Sequence, residues 1–234
     1  MATKKATAKK EETIVLRPID VKTCTVRIEG MTPLILHRMD AYNKQILLRK
    51  QKGMQPPKKI VGEDYKWMSA ITSLTWKDAN PKEWTEAEYD KALEDNAWTK
   101  EAYYELIEND APCISSFGLR KSIGQAVTRL GFETYSTNFN ASFQILEKNI
   151  PIAHAASELQ EKLIPTPTGS PVLSYTTQFN GWSAEFTFRY IENYYSLEQI
   201  LNFINYAGFA IGIGSGRPGK SASDYGTYKI VSIK

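Results

Sequence analysis

Residues 212–226 read GIGSGRPGKSASDYG and hold five glycines, Gly212, Gly214, Gly216, Gly219 and Gly226, with Arg217 and Lys220 as the only cations. Gly214, Gly219, Lys220 and Ser221 also match letter for letter the GxxxxGK[ST] pattern that cradles nucleotide phosphates. A working loop of that kind needs a strand before it and a helix after it, so that helix N–H groups and the positive dipole end meet the phosphates. Only 13 residues follow Ser221, and they read as a β-rich terminus. They leave no room for the helix, a later magnesium-binding acid or a parallel sheet, so the match does not make an ATPase. A second chemistry suits the same residues. Glycines admit positive φ and close approach, and successive N–H groups can form an anion-binding nest without hydrolysis. Gly212, Gly214, Gly216, Arg217, Gly219, Lys220 and Ser221 are therefore candidate nucleic-acid contacts. A purely structural loop stays open beside that reading.

Other residues could share the work. Arg38, Arg120 and Lys121 are basic candidates, and Tyr225, with Tyr228, could stack bases beside the loop. His37, next to Arg38, is the better candidate for a general acid or base; His154, in PIAHAAS, reads as a loop residue. Neither histidine has a recognisable partner in the sequence. Two cysteines, Cys24 and Cys113, and two histidines show no metal-ligand spacing, so no metal or cofactor is expected. Phe186, Phe188 and Tyr190 alternate as core residues do. Trp84, Trp98, Tyr103 and Tyr104 suit packing of a helical segment or a partner subunit. The basic run Arg49, Lys50, Lys52, Lys58 and Lys59 fits a solvated surface or the wall of an electrostatic groove.

The elements that must position these residues follow from periodicity. VKTCTVRIEG alternates, with Cys24, Val26 and Ile28 inward, and predicts a strand ending at Gly30. MTPLILHRMD reads as an extended exit. AYNKQILLRKQKG predicts a short basic helix, residues 63–75 another, and NPKEWTEAEYDKAL with TKEAYYELIE an acidic helical pair opened by Asn80 and Pro81. SSFGLRKSIGQAVTRLG predicts a helix with the stripe Leu119, Ile123, Ala126, Val127 and Leu130, capped by Ser115 or Ser116 and ended by Gly131. SFQILEKN and SAEFTFRYIE read as strands, residues 151–181 as a long loop holding one short strand. SLEQILNFINYAG predicts a helix with a Ser196–Gln199 capping box and a stop at Gly208. FAIGI is compatible with a strand, and GTYKIVSIK predicts the last one. With residues 39–110 set aside as a helical insertion, the order is strand, helix, strand, strand, helix, strand. That is the ferredoxin-like split βαβ order: an α+β fold with an antiparallel sheet and both helices on one face.

The 234 residues suit one domain, here 14–234, after a disordered basic tail at 1–13. The net charge is +3, yet residues 77–110 carry eleven acids against four lysines, so the rest of the chain is basic. A basic body is compatible with a polyanion. No apolar run approaches the roughly 20 residues of a membrane span, and the N-terminus lacks the apolar stretch of a signal peptide. Two widely spaced cysteines suit a reducing, cytoplasmic setting.

GIGSGRPGKSASDYGTYKI resembles the G-rich loop and last strand of the RAMP superfamily, the RNA-binding proteins of CRISPR effector complexes and their relatives. APCISSFGLRKSIGQAV is similar to that family's entry into its first helix, with Pro112, Ser115, Ser116, Leu119, Arg120 and Gly124 in the matching places. The likeness covers residues 21–30 and 111–234. TPLILHR and the C-terminal GxGxxRP pattern are also similar to phage-encoded proteins, which implies a host cytoplasm. The acidic helical segment departs from the CRISPR subunits. The resemblance implies an RRM-like sheet and binding of single-stranded RNA or DNA through the glycine-rich loop and nearby basic residues. Two alternatives stand beside it: a metal-independent ribonuclease using His37, and an interaction module whose 80–107 segment docks partner subunits or a second copy.

Overall fold

A computed structural model describes residues 19–77, 85–164 and 172–234. The expected tail at 1–13, the Asn80–Pro81 helix start and Trp84 lie outside those residues. Strand β1, Val21–Gly30, alternates as its sequence dictates, burying Cys24, Val26 and Ile28. The extended exit pairs as a short strand, β2, Leu34–Leu36. Helices α1 (Ala41–Gln51), α2 (Gly62–Thr72), α3 (Glu86–Glu94) and α4 (Lys100–Asn109) follow. Three start at side-chain caps: Asp40 accepts the Asn43 N–H at 2.8 Å, Thr85 and Glu88 form a capping box, and Thr99 accepts the Ala102 N–H at 3.1 Å. Strand β3, Cys113–Ser115, leads into α5, Ser116–Arg129, which ends at Gly131 with φ +76°. Next come α6 (Ser136–Ser142), β4 (Phe143–Ile145), β5 (Asn149–Ala153), β6 (Ala156–Ile164) and β7 (Val172–Asn180). Strand β8 (Ser183–Ile191), α7 (Leu197–Tyr206) and β9 (Tyr228–Ile233) complete the chain.

β1 lies between β8 and β9, and β8 pairs on its other edge with β4 and β5, all antiparallel. The last strand is thus beside the first, the first beside the third and the third beside the second. This is the ferredoxin-like order, with β3 added on the far edge of β5. The register sets Cys24 against Phe188 and Val26 against Phe186, so one face of the sheet is apolar. Leu119 and Ile123 of α5 and Phe203 and Ile204 of α7 are buried with that face. The opposite face is polar: the Thr25 and Thr187 hydroxyls pair at 2.9 Å, and Arg189 Nε donates to Gln144 at 2.7 Å. A period-2 strand with one wet face carries this division in its sequence.

Residues 151–181 are not a long loop. β6 and β7 form a hairpin paired from Ala156–Asn180 to Ile164–Val172, and β2 joins β7 to make a second sheet. Between Ala156 and Leu163, β6 is exposed or half-buried throughout, so backbone pairing holds it and no apolar alternation announces it. The helical segment meets this second sheet, where Tyr103 and Thr177 share a hydrogen bond at 2.9 Å. Trp98 and Tyr103 are buried in that segment and Tyr104 is exposed. The basic run of α1 faces α3: Arg49 meets Glu86 at 3.4 Å and Asp90 at 2.8 Å, and Lys52 meets Glu86 at 3.2 Å. Part of the charge asymmetry seen in the sequence is therefore neutralised within the chain.

Gly208 does not stop the second core helix. The chain continues through a π-helical turn, Ala207–Ile211, where a strand was compatible with the sequence, and turns away at Gly212 with φ +67°. Gly208 serves close packing instead, because a Cβ there would lie 2.0 Å from the Tyr228 carbonyl oxygen. Neither Ser115 nor Ser116 caps α5: Ser115 makes no side-chain cap bond, and the Ser116 hydroxyl donates to the Lys148 carbonyl at 3.0 Å.

Candidate functional site

The glycine-rich loop is threaded onto the exit of β1. Ser215 donates its N–H to the Ile35 carbonyl at 2.8 Å and Gly226 to that of Pro33 at 2.8 Å, while Ile213 donates to the Gly226 carbonyl at 3.0 Å. Two glycines explain why this course is open to the chain. A Cβ at Gly226 would stand 1.9 Å from the Ile213 carbonyl oxygen, and one at Gly214 would stand 2.5 Å from that of Ile35; both have positive φ, +69° and +76°. Close approach of backbone to backbone thus accounts for these glycines. Inside the loop, the Lys220 and Ser221 N–H groups each donate to the Arg217 carbonyl at 3.0 Å, and the Arg217 guanidinium donates to that of Gly214 at 3.0 Å. That single turn leaves the Lys220 side chain exposed. After Ser221 the chain passes through bends to β9 without a helix, so the phosphate-cradle match lacks its structural context.

Pinning the loop to the β1 exit brings four chain segments to one cleft of about 740 Å³, one of them the chain just after α2 at Ser73 and Thr75. His37 and Arg38 follow β2, Ser115, Gly118 and Lys121 come from the start of α5, and Gly214, Gly216, Arg217, Lys220 and Ser221 come from the loop. Arg38 donates to the Thr75 hydroxyl, which also lines the cleft. Four cations, Arg38, Lys121, Arg217 and Lys220, thus share walls on which no described carboxylate appears. Lys121 and Lys220 make no ion pair among the described residues. The first turn of α5 carries no acid, and its N-cap side chain accepts no backbone N–H, so that positive helix end reaches a cleft with no described carboxylate on its walls. By contrast, the cleft beside Lys58 and Lys59 also holds Asp64, Asp90 and Glu94. That basic run does not build a groove of one sign.

Some candidate residues lie apart from the cleft. Arg120 donates to the Asn140 carbonyl on α6. The Gly212 carbonyl accepts from the Ser122 hydroxyl at 2.9 Å, and the Gly219 N–H donates to the Ile211 carbonyl at 2.9 Å, so both serve the fold of the loop. The Tyr225 ring lies under Lys162 Nζ at 5.2 Å and against Gly216. Tyr228 is not available for stacking: it is wholly buried, and burial pushes its hydroxyl well above the ordinary tyrosine range. His154 is half-buried with its ring 5.0 Å from that of Phe179, and desolvation holds its pKa below the usual histidine value. Ser215, Thr75 and Gly118 escape sequence reasoning because only tertiary contact brings them together; Ser115, noted as a cap, was the one local signal.

Cys24 and Cys113 are both buried. Among the described residues no group of three or more His, Cys, Asp or Glu side chains could hold a metal, and no helix is long and apolar enough to cross a membrane. No protein-family model and no curated protein matches the chain. Among solved structures, the crystal structure of Cmr6 from Pyrococcus furiosus is similar at 10% identity and a TM-score of 0.32, covering 92% of this chain and 100% of that one. A likeness at that level bears on neither function nor site.

Proposed function

We propose that the chain binds single-stranded RNA or DNA by its phosphates, in the cleft between the β1 exit, the start of α5 and the glycine-rich loop. The observation that carries this reading is the gathering of Arg38, Lys121, Arg217 and Lys220 around one cleft without a described carboxylate. Four cations of one sign raise the local concentration of a polyanion, and a helix N-terminus and hydroxyls add neutral donors for phosphate oxygens. The glycines contribute indirectly, by letting the loop lie where Arg217 and Lys220 face Arg38 and Lys121 across the same space. The reading treats 14–234 as one RAMP-like domain with the helical segment 39–110 inserted, and leaves the 80–107 surface to partner subunits or a second copy.

Electrophoretic shift with single-stranded RNA, single-stranded DNA and duplex across a salt series tests it. Retarded single strands whose affinity falls with salt are expected, and no binding of any polyanion at low salt would refute it. A second reading has one observation in its favour: His37 lines the same cleft. An imidazole in the cleft that holds the RNA phosphate is placed to accept the proton of an attacking 2′-hydroxyl, as in a metal-independent ribonuclease. Cleavage of labelled RNA but not DNA in chelator, lost in His37→Gln, would establish it.

A further inference from the structure

Phe117 stands in the first turn of α5 with 75% of its surface exposed, the most exposed of the large apolar side chains among the described residues. Its chain neighbours Gly118 and, two residues back, Ser115 line the cationic cleft, as does Lys121 one helical turn on. Residues four apart share a helix face, so the Phe117 ring and the Lys121 ammonium rise side by side from the rim. The buried stripe of α5, Leu119, Ile123, Ala126 and Val127, lies on the other side of the helix, so the core does not claim the ring. A Cβ built on Gly118 meets nothing within 4 Å, which leaves the space beside the ring open.

We propose that Phe117 is a base-stacking platform: a nucleobase lies on its ring while a neighbouring phosphate is held by Lys121 and the loop cations. The proposal rests on the nucleic-acid reading of the cleft and sharpens it. A bare phosphate chain has no apolar face for a ring to cover, whereas every nucleobase has one, whatever its sequence. A duplex turns its base faces toward one another and offers this rim only backbone. An exposed ring beside a cationic cleft therefore selects unpaired nucleotides over both duplex and base-free polyanions.

Affinities of the wild-type protein, Phe117→Ala and Phe117→Trp test it, measured for a short single-stranded oligonucleotide, its abasic counterpart, its duplex and inorganic polyphosphate. Phe117→Ala should weaken the single strand by roughly 5- to 150-fold, the range for losing one stacked base. It should leave the abasic strand and polyphosphate unchanged, with the salt slope also unchanged because no phosphate contact is lost. Phe117→Trp should keep or tighten single-strand binding. Equal losses on every polyanion, or an alanine variant that binds the single strand as wild type does, would overturn the stacking role; the second result would assign the ring to a protein surface. Wild-type protein that binds neither oligonucleotide nor polyphosphate would remove the cleft reading itself, an outcome distinct from the other two.

Discussion

Replacing Lys121 and Lys220 together with glutamine removes two of the four cleft cations while sparing the fold. Both side chains are exposed, and neither makes an ion pair among the described residues. The melting temperature should therefore stay close to wild type, as for most surface substitutions. Arg217 is a poorer choice, because its guanidinium also bonds the Gly214 carbonyl at 3.0 Å. If each of the four cations neutralises one phosphate of a single strand, the logarithmic salt slope of binding should be about −2.8, and about −1.4 in the double variant. Between 50 and 200 mM salt the wild type should lose affinity about 50-fold and the variant about 7-fold. Fluorescence anisotropy with a labelled single strand at several salt concentrations reads both slopes. Weaker binding should be uniform across sequences, since phosphate contacts position without reading bases. An unchanged slope in a variant of unchanged melting temperature would refute the assignment of these lysines to phosphates and leave the cleft's charge without a polyanion.

Three further outcomes follow from the geometry. Gly226→Val sets a β-branched side chain at φ +69° with its Cβ 1.9 Å from a carbonyl oxygen; it should lower the melting temperature sharply or abolish soluble expression, which circular dichroism will show. Phe186→Ala empties a site on β8, with no solvent exposure, on the apolar face of the sheet, and should cost about 3–5 kcal/mol in urea unfolding. His154 has a folded pKa below its unfolded value because burial disfavours its charge. Between those two values the unfolded chain holds the extra proton, so this contribution is fully present above the unfolded value near 6.5 and is lost as pH falls toward the folded one. The urea midpoint should drop more between pH 7 and pH 5 in the wild type than in His154→Gln.

Local pattern alone determined the ferredoxin-like core of this chain. β1 and β8 alternate with period 2, α5 carries one apolar stripe, and Ser196 with Gln199 forms the expected capping box. Each of these elements buries one face, and burying one face leaves a period in the sequence. The β-rich pattern after Ser221 was equally legible, and the chain there forms bends and β9 rather than the helix a phosphate-cradling loop requires. Tertiary structure decided the rest. The β6–β7 hairpin carries no apolar period, since backbone pairing rather than a buried face holds β6. The glycines looked like ligand contacts in isolation, yet Gly214 and Gly226 answer to the carbonyls of Ile35 and Ile213, one of them far away in sequence. Arg120 and Lys121 are indistinguishable as adjacent basic residues, but consecutive helix positions diverge by about 100°, and only Lys121 reaches the cleft. Phe117 carries no local signal at all; only the fold leaves it exposed next to a cleft whose four cations come from three distant segments. Periodicity records which side of an element is buried; which residues of separate elements share a space is settled only when those elements pack.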